Sequence, residues 1–280
     1  MTNEYSPGHG GYSVLMSVYH KEKAEYLRRA MESIWEQSVK TDDFVLVCDG
    51  SLNDALDEVI GQMQAAHAEL RVVRLERNMG LGKALCRGMK YCRNELVCRM
   101  DSDDISLPDR CEKQLAAFQA DPELKIVSGT VEEFCGDAVL GARVLPEQNE
   151  DIVRFSKKRC PFNHPAVMFS RSSVEQAGGY NEEYHLFEDY YLWARLLMNG
   201  CKAGNLPDVL VRMRVSDDAY ERRGGWSYAK SMLRFHHWLR KSGWASLWDF
   251  LLGAIPHAAV CLVPNKLRGL IYKAMRQRHS

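Results

Sequence analysis

Residues 96–104 read LVCRMDSDD, an apolar run that ends in three closely spaced carboxylates. The run predicts a short buried strand that delivers Asp101, Asp103 and Asp104 to its carboxyl end. Three neighbouring carboxylates repel one another and cost stability unless something neutralises them. A hard divalent cation is the usual neutraliser, because it prefers carboxylate oxygens and often keeps coordination positions for phosphate. Ligands of open α/β sheets bind beyond the carboxyl ends of the strands, so the segment indicates a cation with a nucleotide diphosphate.

A solvated acidic turn is the alternative explanation of the same segment. Pro108 follows it, and a helix is predicted to begin near Asp109. For an isolated Asp-x-Asp tripeptide, such a turn is the more common explanation. The choice between the two therefore depends on the rest of the chain.

The segments around this strand predict an α/β fold. Strand-like and helix-like runs alternate from residue 13 to residue 100, which argues for a mostly parallel sheet between two layers of helices. In this part we predict strands at 13–18, 43–48, 70–75 and 95–100, and helices at 24–37, 55–68 and 83–92. Beyond Pro108 we predict helices at 109–119, 172–177 and 188–199, and strands at 125–134, 138–145, 167–170 and 209–215.

The composition argues against a nucleic-acid partner and against a secreted or membrane-spanning protein. The 280 residues carry 37 basic and 37 acidic side chains, a formal net charge of zero, which gives no general case for nucleic acid. The nine cysteines include no CxxC pair and no zinc-like spacing. Cys48, Cys92 and Cys98 lie in or near apolar runs, so we read them as small buried side chains in a reducing cytoplasm. No stretch approaches the roughly 20 apolar residues of a membrane-spanning helix, and the first residues lack the features of a signal peptide. We therefore expect a cytoplasmic protein.

Three single motifs fit either a structural or a functional role. Asp49 follows a strand, where it could hold a turn or accept a hydrogen bond from a base N–H such as the uracil imide. Glu188 and Asp189 begin an apolar helix, where acids pair with the helix dipole and where a general base could be held rigidly. His164 precedes a strand and is either structural or in contact with a substrate.

The glycines at 80 and 82 do not complete a known phosphate-binding motif. Leu85 stands where a dinucleotide fingerprint would have its third glycine. The Gly82-Lys83 pair lacks the upstream glycine and the following Ser or Thr of a phosphate loop, since Arg77 and Ala84 occupy those places. We therefore expect neither a Rossmann cofactor site nor a P-loop.

Taken together and in this order, the segments resemble glycosyltransferase family 2. No one motif is decisive, but their shared order makes coincidence implausible, and the match runs from about residue 12 to residue 215. The motifs are SVLMSVY at 13–19, DGS at 49–51, RNMG at 77–80, DSDD at 101–104, PDR at 108–110, NHP at 163–165, GGY at 178–180 and EDYYLW at 188–193. YHKEKAEYL at 19–27 and YERRGG at 220–225 are further similar to the amylovoran-type branch, whose enzymes build bacterial exopolysaccharide, capsule or O-antigen units.

The resemblance implies the GT-A fold, a three-layer α/β sandwich with a mostly parallel central sheet, here followed by a helical C-terminal segment. It divides the chain into a nucleotide-sugar-binding half at 1–115 and an acceptor and catalytic half of the same domain at 116–216. Residues 217–280 would form the basic, aromatic-rich helical segment.

The resemblance also assigns roles to residues. Asp49 would bind the uracil of a UDP-sugar, and Asp101 would face the ribose and the metal. Asp103 would ligate Mn²⁺ or Mg²⁺ at the diphosphate, so that the metal ligands are Asp101 and Asp103. Asp189 would deprotonate the acceptor hydroxyl, with Glu188 beside it. The remaining donor-binding residues would be Tyr19, Asn78, Lys83 and Ser102, and the acceptor-binding residues His164, Arg222 and Arg223.

Two positions depart from the family pattern. Cys48 stands where many members carry the first of two acids, so that the uracil contact depends on Asp49 alone. Val215 stands where many relatives carry a histidine after the last strand. A metal ligand from that region is therefore not expected.

The implied activity is metal-dependent transfer of a hexose from a UDP-sugar to a hydroxyl of a growing, lipid-linked surface polysaccharide. One base and no covalent nucleophile imply a single displacement with inversion. A haloacid-dehalogenase-like phosphatase also uses Asp-x-Asp, but on its first strand and followed by Thr; here the motif is on the fourth strand and Ile105 follows. A non-catalytic sugar-nucleotide-binding or scaffold member of a polysaccharide assembly complex is the other alternative, although every acid that the chemistry needs is present.

The C-terminal segment predicts contact with the inner face of the plasma membrane. From Arg222 to Ser280, Asp249 is the only acid, and amphipathic helices of such composition lie in the bilayer interface. The apolar surface would come from Trp238, Leu239, Trp244, Leu247, Trp248, Leu251 and Leu252, and the charge from Arg240, Lys241, Lys266, Arg268, Lys273 and Arg276. The alternative is that the tryptophans pack onto the catalytic domain and the bases are solvated.

Overall fold

A computed structural model describes residues 11–181, 183, 184, 186–215 and 224–264. The strands in these ranges are β1 (Tyr12–Val18), β2 (Asp43–Cys48), β3 (Leu70–Arg74), β4 (Leu96–Asp101), β5 (Ile105–Ser106), β6 (Leu124–Cys135), β7 (Ala138–Arg143), β8 (Met168–Ser170) and β9 (Lys202–Arg214). The helices are α1 (Ala24–Trp35), α2 (Asp54–Ala66), α3 (Leu81–Met89), α4 (Arg110–Ala120), α5 (Asn149–Phe155), α6 (Arg171–Gln176), α7 (Glu188–Met198), α8 (Gly225–Lys241), α9 (Leu247–Asp249) and α10 (Ile255–Leu262). A 3-10 turn lies at His164–Ala166 and a π-helical turn at Phe250–Ala254.

Strands β1 to β4 form the parallel half of a single sheet, in the order β3-β2-β1-β4. β1 and β2 are apolar and almost wholly buried, as expected of strands that helices cover on both faces. Because the four strands run in one direction, their carboxyl ends meet at one edge, which we call the carboxyl edge. The predicted α/β fold with a mostly parallel sheet is confirmed.

The second half of the sheet follows β4 in the order β8-β6-β9-β5. β8 runs antiparallel to β4 and β6, whereas β6 and β9 are parallel. The strand predicted at 209–215 is the end of β9, which already begins at Lys202. Pro207 and Asp208 lie in a bulge, because the pairing jumps from Gly129–Leu206 to Thr130–Val209. Proline is tolerated in a strand at such a bulge, which hid the first half of β9 from the sequence pattern.

The core lies in two layers on either side of the sheet. Helices α1, α2 and α4 bury one face, and α3, α6 and α7 bury the other. In the second layer, the fully buried Trp193 of α7 contacts the rings of Phe162, Phe169 and Tyr180. This packing fixes α7 against the sheet.

The C-terminal helices pack on the outer side of α7. We define the aromatic layer as the rings of Tyr184, Phe187, Tyr190, Tyr191, Phe235 and Trp238, which contact one another across this boundary. Trp244 donates a hydrogen bond from its indole Nε1 to Ser156 Oγ at 3.0 Å. Within the described ranges, no helix has both the length and the apolar character needed to cross a bilayer.

Part of the surface expected to meet lipid is therefore inside the protein. Leu239 is buried, and Trp238 and Trp244 are half-buried against the domain. The physical reason is that α7 presents Tyr190 and Tyr191 outward, and the rings of Phe235 and Trp238 cover them. Lys266, Arg268, Lys273 and Arg276 lie outside the described residues, and the division at residues 115 and 216 stays a prediction.

Candidate active site

Side chains from several elements meet at the carboxyl edge. Asp49 follows β2, Asp101 ends β4, and His164 lies in the 3-10 turn before β8. The first turn of α7 adds Glu188 and Asp189. Each of these positions lies where an open α/β sheet binds its ligands.

Asp49 holds the loop that precedes α3. Its Oδ1 accepts a hydrogen bond from the Met79 N–H at 2.7 Å, and its Oδ2 accepts one from the Gly80 N–H at 2.9 Å. Asn78 Nδ2 donates to the Asp49 carbonyl at 3.2 Å. This bracing role was not predicted from the sequence. The contact of Asp49 with uracil stays a prediction.

The turn at Gly50 brings the same two loops into close contact. Gly50 has a φ of +88°, and a Cβ at this position would lie 2.5 Å from the main-chain nitrogen of Asn78. Only glycine allows both the backbone conformation and the close approach. The DGS and RNMG motifs therefore form one structural unit, although they are far apart in the sequence.

Asp101 is paired with two cationic or potentially cationic side chains. Its Oδ2 accepts a hydrogen bond from Arg99 Nη1 at 2.6 Å and lies 3.4 Å from His164 Nε2. Burial raises the pKa of Asp101, but the charge of Arg99 and the contact with His164 outweigh burial and hold that pKa well below its usual range. Asp101 is therefore an anion whose Oδ2 is already bound by the protein.

Asp103 and Asp104 lie where a negative charge is costly. Asp104 is buried, and its Oδ1 accepts a hydrogen bond from the Arg214 N–H at 2.7 Å. Burial, and then the charges of Asp101 and Glu22, raise the pKa of Asp103 to about 7. Burial, followed by the charges of Asp103 and Asp101, likewise raises the pKa of Asp104. A bound cation would relieve this repulsion.

This crowding of carboxyl groups is the observation that fits a divalent metal ion. Among the described residues, no three His, Cys, Asp or Glu side chains form a group that could hold one metal ion. Asp103 and Asp101 are close enough for the charge of Asp101 to raise the pKa of Asp103. These two residues could hold a cation of the hard, oxygen-seeking kind.

Asp189 extends from the first turn of α7 toward the same arginine that holds Asp101. Its Oδ2 lies 3.6 Å from Arg99 Nη2, and its side chain is 15% exposed. Its Oδ1 is buried, and the Tyr180 hydroxyl lies within hydrogen-bonding reach of the carboxylate. A general base must lie within reach of the proton that it accepts.

Glu188 packs against the start of α3. A Cβ on Gly82 would lie 3.1 Å from Glu188 Cγ, so glycine at this position makes room for the acid. The contact joins the first turns of α3 and α7 at the carboxyl edge. Lys83 follows Gly82 in the same turn of α3.

Two neighbours of Asp189 were not predicted from the sequence. Arg99 is 1% exposed, and its only sequence signal is an arginine inside an apolar strand, where a buried cation needs an anionic partner. Tyr180 is buried beside Asp189, and burial, followed by the charge of Asp189, raises the pKa of its hydroxyl. The neutral Tyr180 hydroxyl can donate a hydrogen bond to the Asp189 carboxylate.

Some of the remaining predicted site residues border this edge, and others lie outside the described residues. Ser102 faces the loop after β1, because its Oγ donates to Glu22 Oε2 at 2.9 Å. Tyr19 begins that loop and is exposed. Arg222 and Arg223 lie outside the described residues. The structure thus brings together Asp49, Asn78, Asp101, Asp103, His164, Glu188 and Asp189.

The sequence matches the family model described as glycosyl transferase family 2 over residues 13–177. It also matches glycosyl transferase family group 2 over residues 96–274. Among relatives, it is 38% identical to UDP-Gal:alpha-D-GlcNAc-diphosphoundecaprenol beta-1,3-galactosyltransferase of Escherichia coli, over 95% of this chain and 97% of the relative. It is 40% identical to the amylovoran biosynthesis glycosyltransferase AmsE of Erwinia amylovora, over 80% of this chain and 84% of the relative.

Solved structures share the fold. The mannosyltransferase PcManGT from Pyrobaculum calidifontis, in complex with GDP-Man and Mn²⁺, superposes with a TM-score of 0.66 at 18% identity, over 96% of this chain and 81% of that one. S. aureus TarS 1-349, in complex with UDP-GlcNAc, gives a TM-score of 0.62 at 16% identity, over 92% and 72%. The GT-A fold expected from the sequence is confirmed, including a helical segment at the C-terminal end.

Proposed function

The chain belongs to glycosyl transferase family 2, and on that premise we propose that it transfers a hexose from a UDP-sugar to a lipid-linked saccharide, with inversion. The observation that carries the proposal is the shared guanidinium of Arg99. Its Nη1 contacts Asp101 at 2.6 Å, and its Nη2 lies 3.6 Å from Asp189. The residue expected on the donor side and the expected base thus lie within the width of one side chain. A reaction between two bound substrates needs such proximity.

The relative from Escherichia coli supports the choice of substrates. Its name specifies UDP-Gal as donor and a GlcNAc-diphosphoundecaprenol as acceptor, and the similarity extends over nearly the whole of this chain. The same kinds of donor and acceptor are therefore proposed here. The loop joined by Asp49, Gly50 and Asn78 would hold the uracil and ribose, with Tyr19, Lys83 and Ser102 at its border.

Asp103 and Asp101 would hold Mn²⁺ or Mg²⁺ together with the donor. The cation would neutralise the charge that develops on the leaving diphosphate. The raised pKa of Asp103 supports this assignment, because burial and neighbouring carboxylates make its uncompensated charge costly.

Asp189 would accept the proton of the acceptor hydroxyl. As that oxygen forms its bond to the anomeric carbon, the bond from this carbon to the UDP oxygen breaks, and UDP leaves. The position of its carboxylate beside Arg99 and Tyr180 supports this role. Glu188 and His164 would line the acceptor side, with Arg222 and Arg223 as further candidates. One displacement without a covalent intermediate inverts the anomeric carbon.

The acceptor explains why the protein would work at a membrane. An apolar C-terminal face, made of Leu247, Trp248, Leu252, Ile255 and Leu262, is exposed in the structure. Leu247 and Trp248 belong to α9, Leu252 to the π-helical turn, and Ile255 and Leu262 to α10. Arg240 and Lys241 are exposed nearby in the sequence. We propose that this face lies in the cytoplasmic leaflet, beside anionic lipid headgroups.

The test is turnover of a panel of UDP-, GDP- and dTDP-sugars with Mn²⁺ and a lipid-diphosphate-linked GlcNAc acceptor. We expect turnover of a UDP-hexose and, by NMR, a product of inverted anomeric configuration. Asp189→Asn should lower the rate by about 10²–10⁴ with unchanged affinity for UDP. Glu175→Gln, which alters an exposed acid of α6, is the control and should leave the rate unchanged.

Three results would contradict parts of this proposal. Donor binding without turnover would favour a non-catalytic member. A retained anomeric configuration would rule out the single displacement. Equal losses of UDP affinity and rate in Asp189→Asn would instead place Asp189 in the donor site.

A further inference from the structure

Arg99 is a buried cation held between carboxylates from two different elements. It lies on β4 and is 1% exposed. Asp101 follows on the same strand, whereas Asp189 comes from α7. A guanidinium is a planar fork of donors. Its Nη1 donates a hydrogen bond to Asp101 at 2.6 Å, and its Nη2 lies at an ion-pair distance of 3.6 Å from Asp189.

Stability alone gives no sufficient reason for this arrangement, because a buried group of ion pairs can often be replaced as a whole by apolar side chains with no loss of stability. Cys98 and Met100, which flank Arg99 on β4, are buried on the opposite face of the strand. On its own face, Arg99 meets the carboxylates of Asp101 and Asp189. Apolar side chains at all three positions would suit a core, but they could not hold two carboxylates in register.

We propose that Arg99 is a positioning residue that sets the base Asp189 against the donor-side carboxylate Asp101. The inference rests on the proposed function, because it assigns Arg99 to the same reaction. A lysine would keep the charge but present a single ammonium rather than a fork. It could not orient both carboxylates, and a misplacement of about 1 Å can cost about 10²-fold in rate.

The experiment compares Arg99→Lys with Arg93→Lys in the full-length chain. Arg93 also pairs with a buried aspartate, Asp43, at 3.1 Å, but it is half-exposed and is not part of the carboxyl edge. We expect Arg99→Lys to lower kcat about 10²-fold, while KM for the UDP-sugar and Tm change little. Arg93→Lys should leave both kcat and KM close to the wild-type values.

Chemical rescue separates positioning from folding. In Arg99→Ala, added guanidinium ion should restore kcat at least tenfold, at concentrations well below those that unfold the protein. Urea, which has a similar shape without charge, should not. If Arg99→Ala does not fold, Arg99→Lys carries the test through its separate effects on kcat, KM and Tm.

The outcomes distinguish this inference from the proposed function. A wild-type kcat in Arg99→Lys, alongside an inactive Asp189→Asn, would overturn the positioning role and leave the proposed base intact. A loss of Tm in Arg99→Lys with an unchanged kcat per folded molecule would overturn it too, in favour of a purely structural arginine. An active Asp189→Asn would instead overturn the base assignment itself.

Discussion

The two sides of α7 lie in opposite environments. Its first turn reaches the carboxyl edge, where Asp189 joins buried charges and donors that the protein pairs only in part. Its outer side lies in the aromatic layer, where the rings of Tyr190 and Phe235 are 4.6 Å apart, as are those of Tyr191 and Trp238. Unpaired buried charge costs stability, whereas buried aromatic surface contributes it.

The difference suggests a division of labour within one helix. The aromatic layer and the core around Trp193 hold α7 in place from both sides. The charged residues at its start are then free to be arranged for chemistry rather than for stability. Substitutions at the carboxyl edge should therefore lower activity, and substitutions in the aromatic layer should lower stability.

The largest effect is expected from Asp103→Ala. Transfer should fall by roughly 10³-fold or more, because the metal loses a ligand that contributes several kcal/mol of charge stabilisation. Nucleotide affinity with Mn²⁺ should fall as well. The free energy of unfolding should be equal or higher, since the change removes a carboxylate whose pKa burial and like charges raise to about 7. Turnover, calorimetry and denaturant unfolding measure the three quantities.

The control for this substitution is Asp137→Ala, because Asp137 is an exposed acid in the turn between β6 and β7. It should change none of the three quantities. Wild-type turnover in Asp103→Ala would show that the metal assignment is wrong.

The second effect tests the aromatic layer through Phe235→Ala. Removing this fully buried ring should lower the free energy of unfolding by about 3–5 kcal/mol, as expected when a cavity forms in a core. The rate per folded molecule should stay near the wild-type value. Trp226→Ala on the same helix is the control, because Trp226 is 68% exposed and should change stability by about 0.5 kcal/mol or less. Equal destabilisation by both substitutions would contradict the stabilising role of the aromatic layer.

The third effect is a pH dependence of the free energy of unfolding, which comes from His236 beside the aromatic layer. Burial, and then the charge of His257 from α10, lower the pKa of His236 from 6.5 to about 4. Tyr190 of α7 also faces His236. Between these two pKa values the unfolded chain binds the extra proton, so stability present above pH 6.5 is lost as the pH falls. The loss should be roughly 2 kcal/mol between pH 7 and pH 5.

Denaturant unfolding at several pH values measures how the free energy of unfolding changes with pH, which we call the pH slope. His236→Gln should remove most of it, whereas His237→Gln, on the exposed side of α8, should retain it. An unchanged slope in His236→Gln would mean that another group titrates.

The smallest effect concerns the apolar C-terminal face. Trp248 and Leu252 are 69% and 66% exposed, so replacing both by Ala should not unfold the protein. Binding to anionic vesicles should weaken about tenfold, or about 1.4 kcal/mol. Sedimentation with phosphatidylglycerol vesicles measures it. The matched control replaces Val139 and Leu140, two exposed apolar residues of β7; equal binding by both double variants would contradict a membrane role for this face.

Deleting the whole C-terminal segment would be a poorer test of membrane binding. The deletion would remove α8, and with it the rings of Phe235 and Trp238 that cover α7. A loss of binding could then reflect a loss of folding. Single side chains on the exposed face avoid this ambiguity.

Some elements could not be predicted because their signals are short or interrupted. β5 has two residues, too few for a periodic pattern. α5 has seven residues but lacks a glycine stop such as Gly178 and Gly179, which mark the end of the shorter α6. Pro207 interrupts β9 and reads as the end of a strand. The bulge that accommodates it depends on pairing with β6, which lies far away in the sequence.

By itself, the sequence determined the alternation of strands and helices, the position of the acids at strand and helix ends, and the family. These features depend on local periodicity and on the order of motifs along the chain, which the sequence states directly. Only the tertiary structure decided that Arg99 joins Asp101 to Asp189, that Asp49 holds the loop at Asn78, and that Trp238 and Trp244 face inward. Each of these contacts joins separate elements, and their meeting depends on how the helices pack on the sheet.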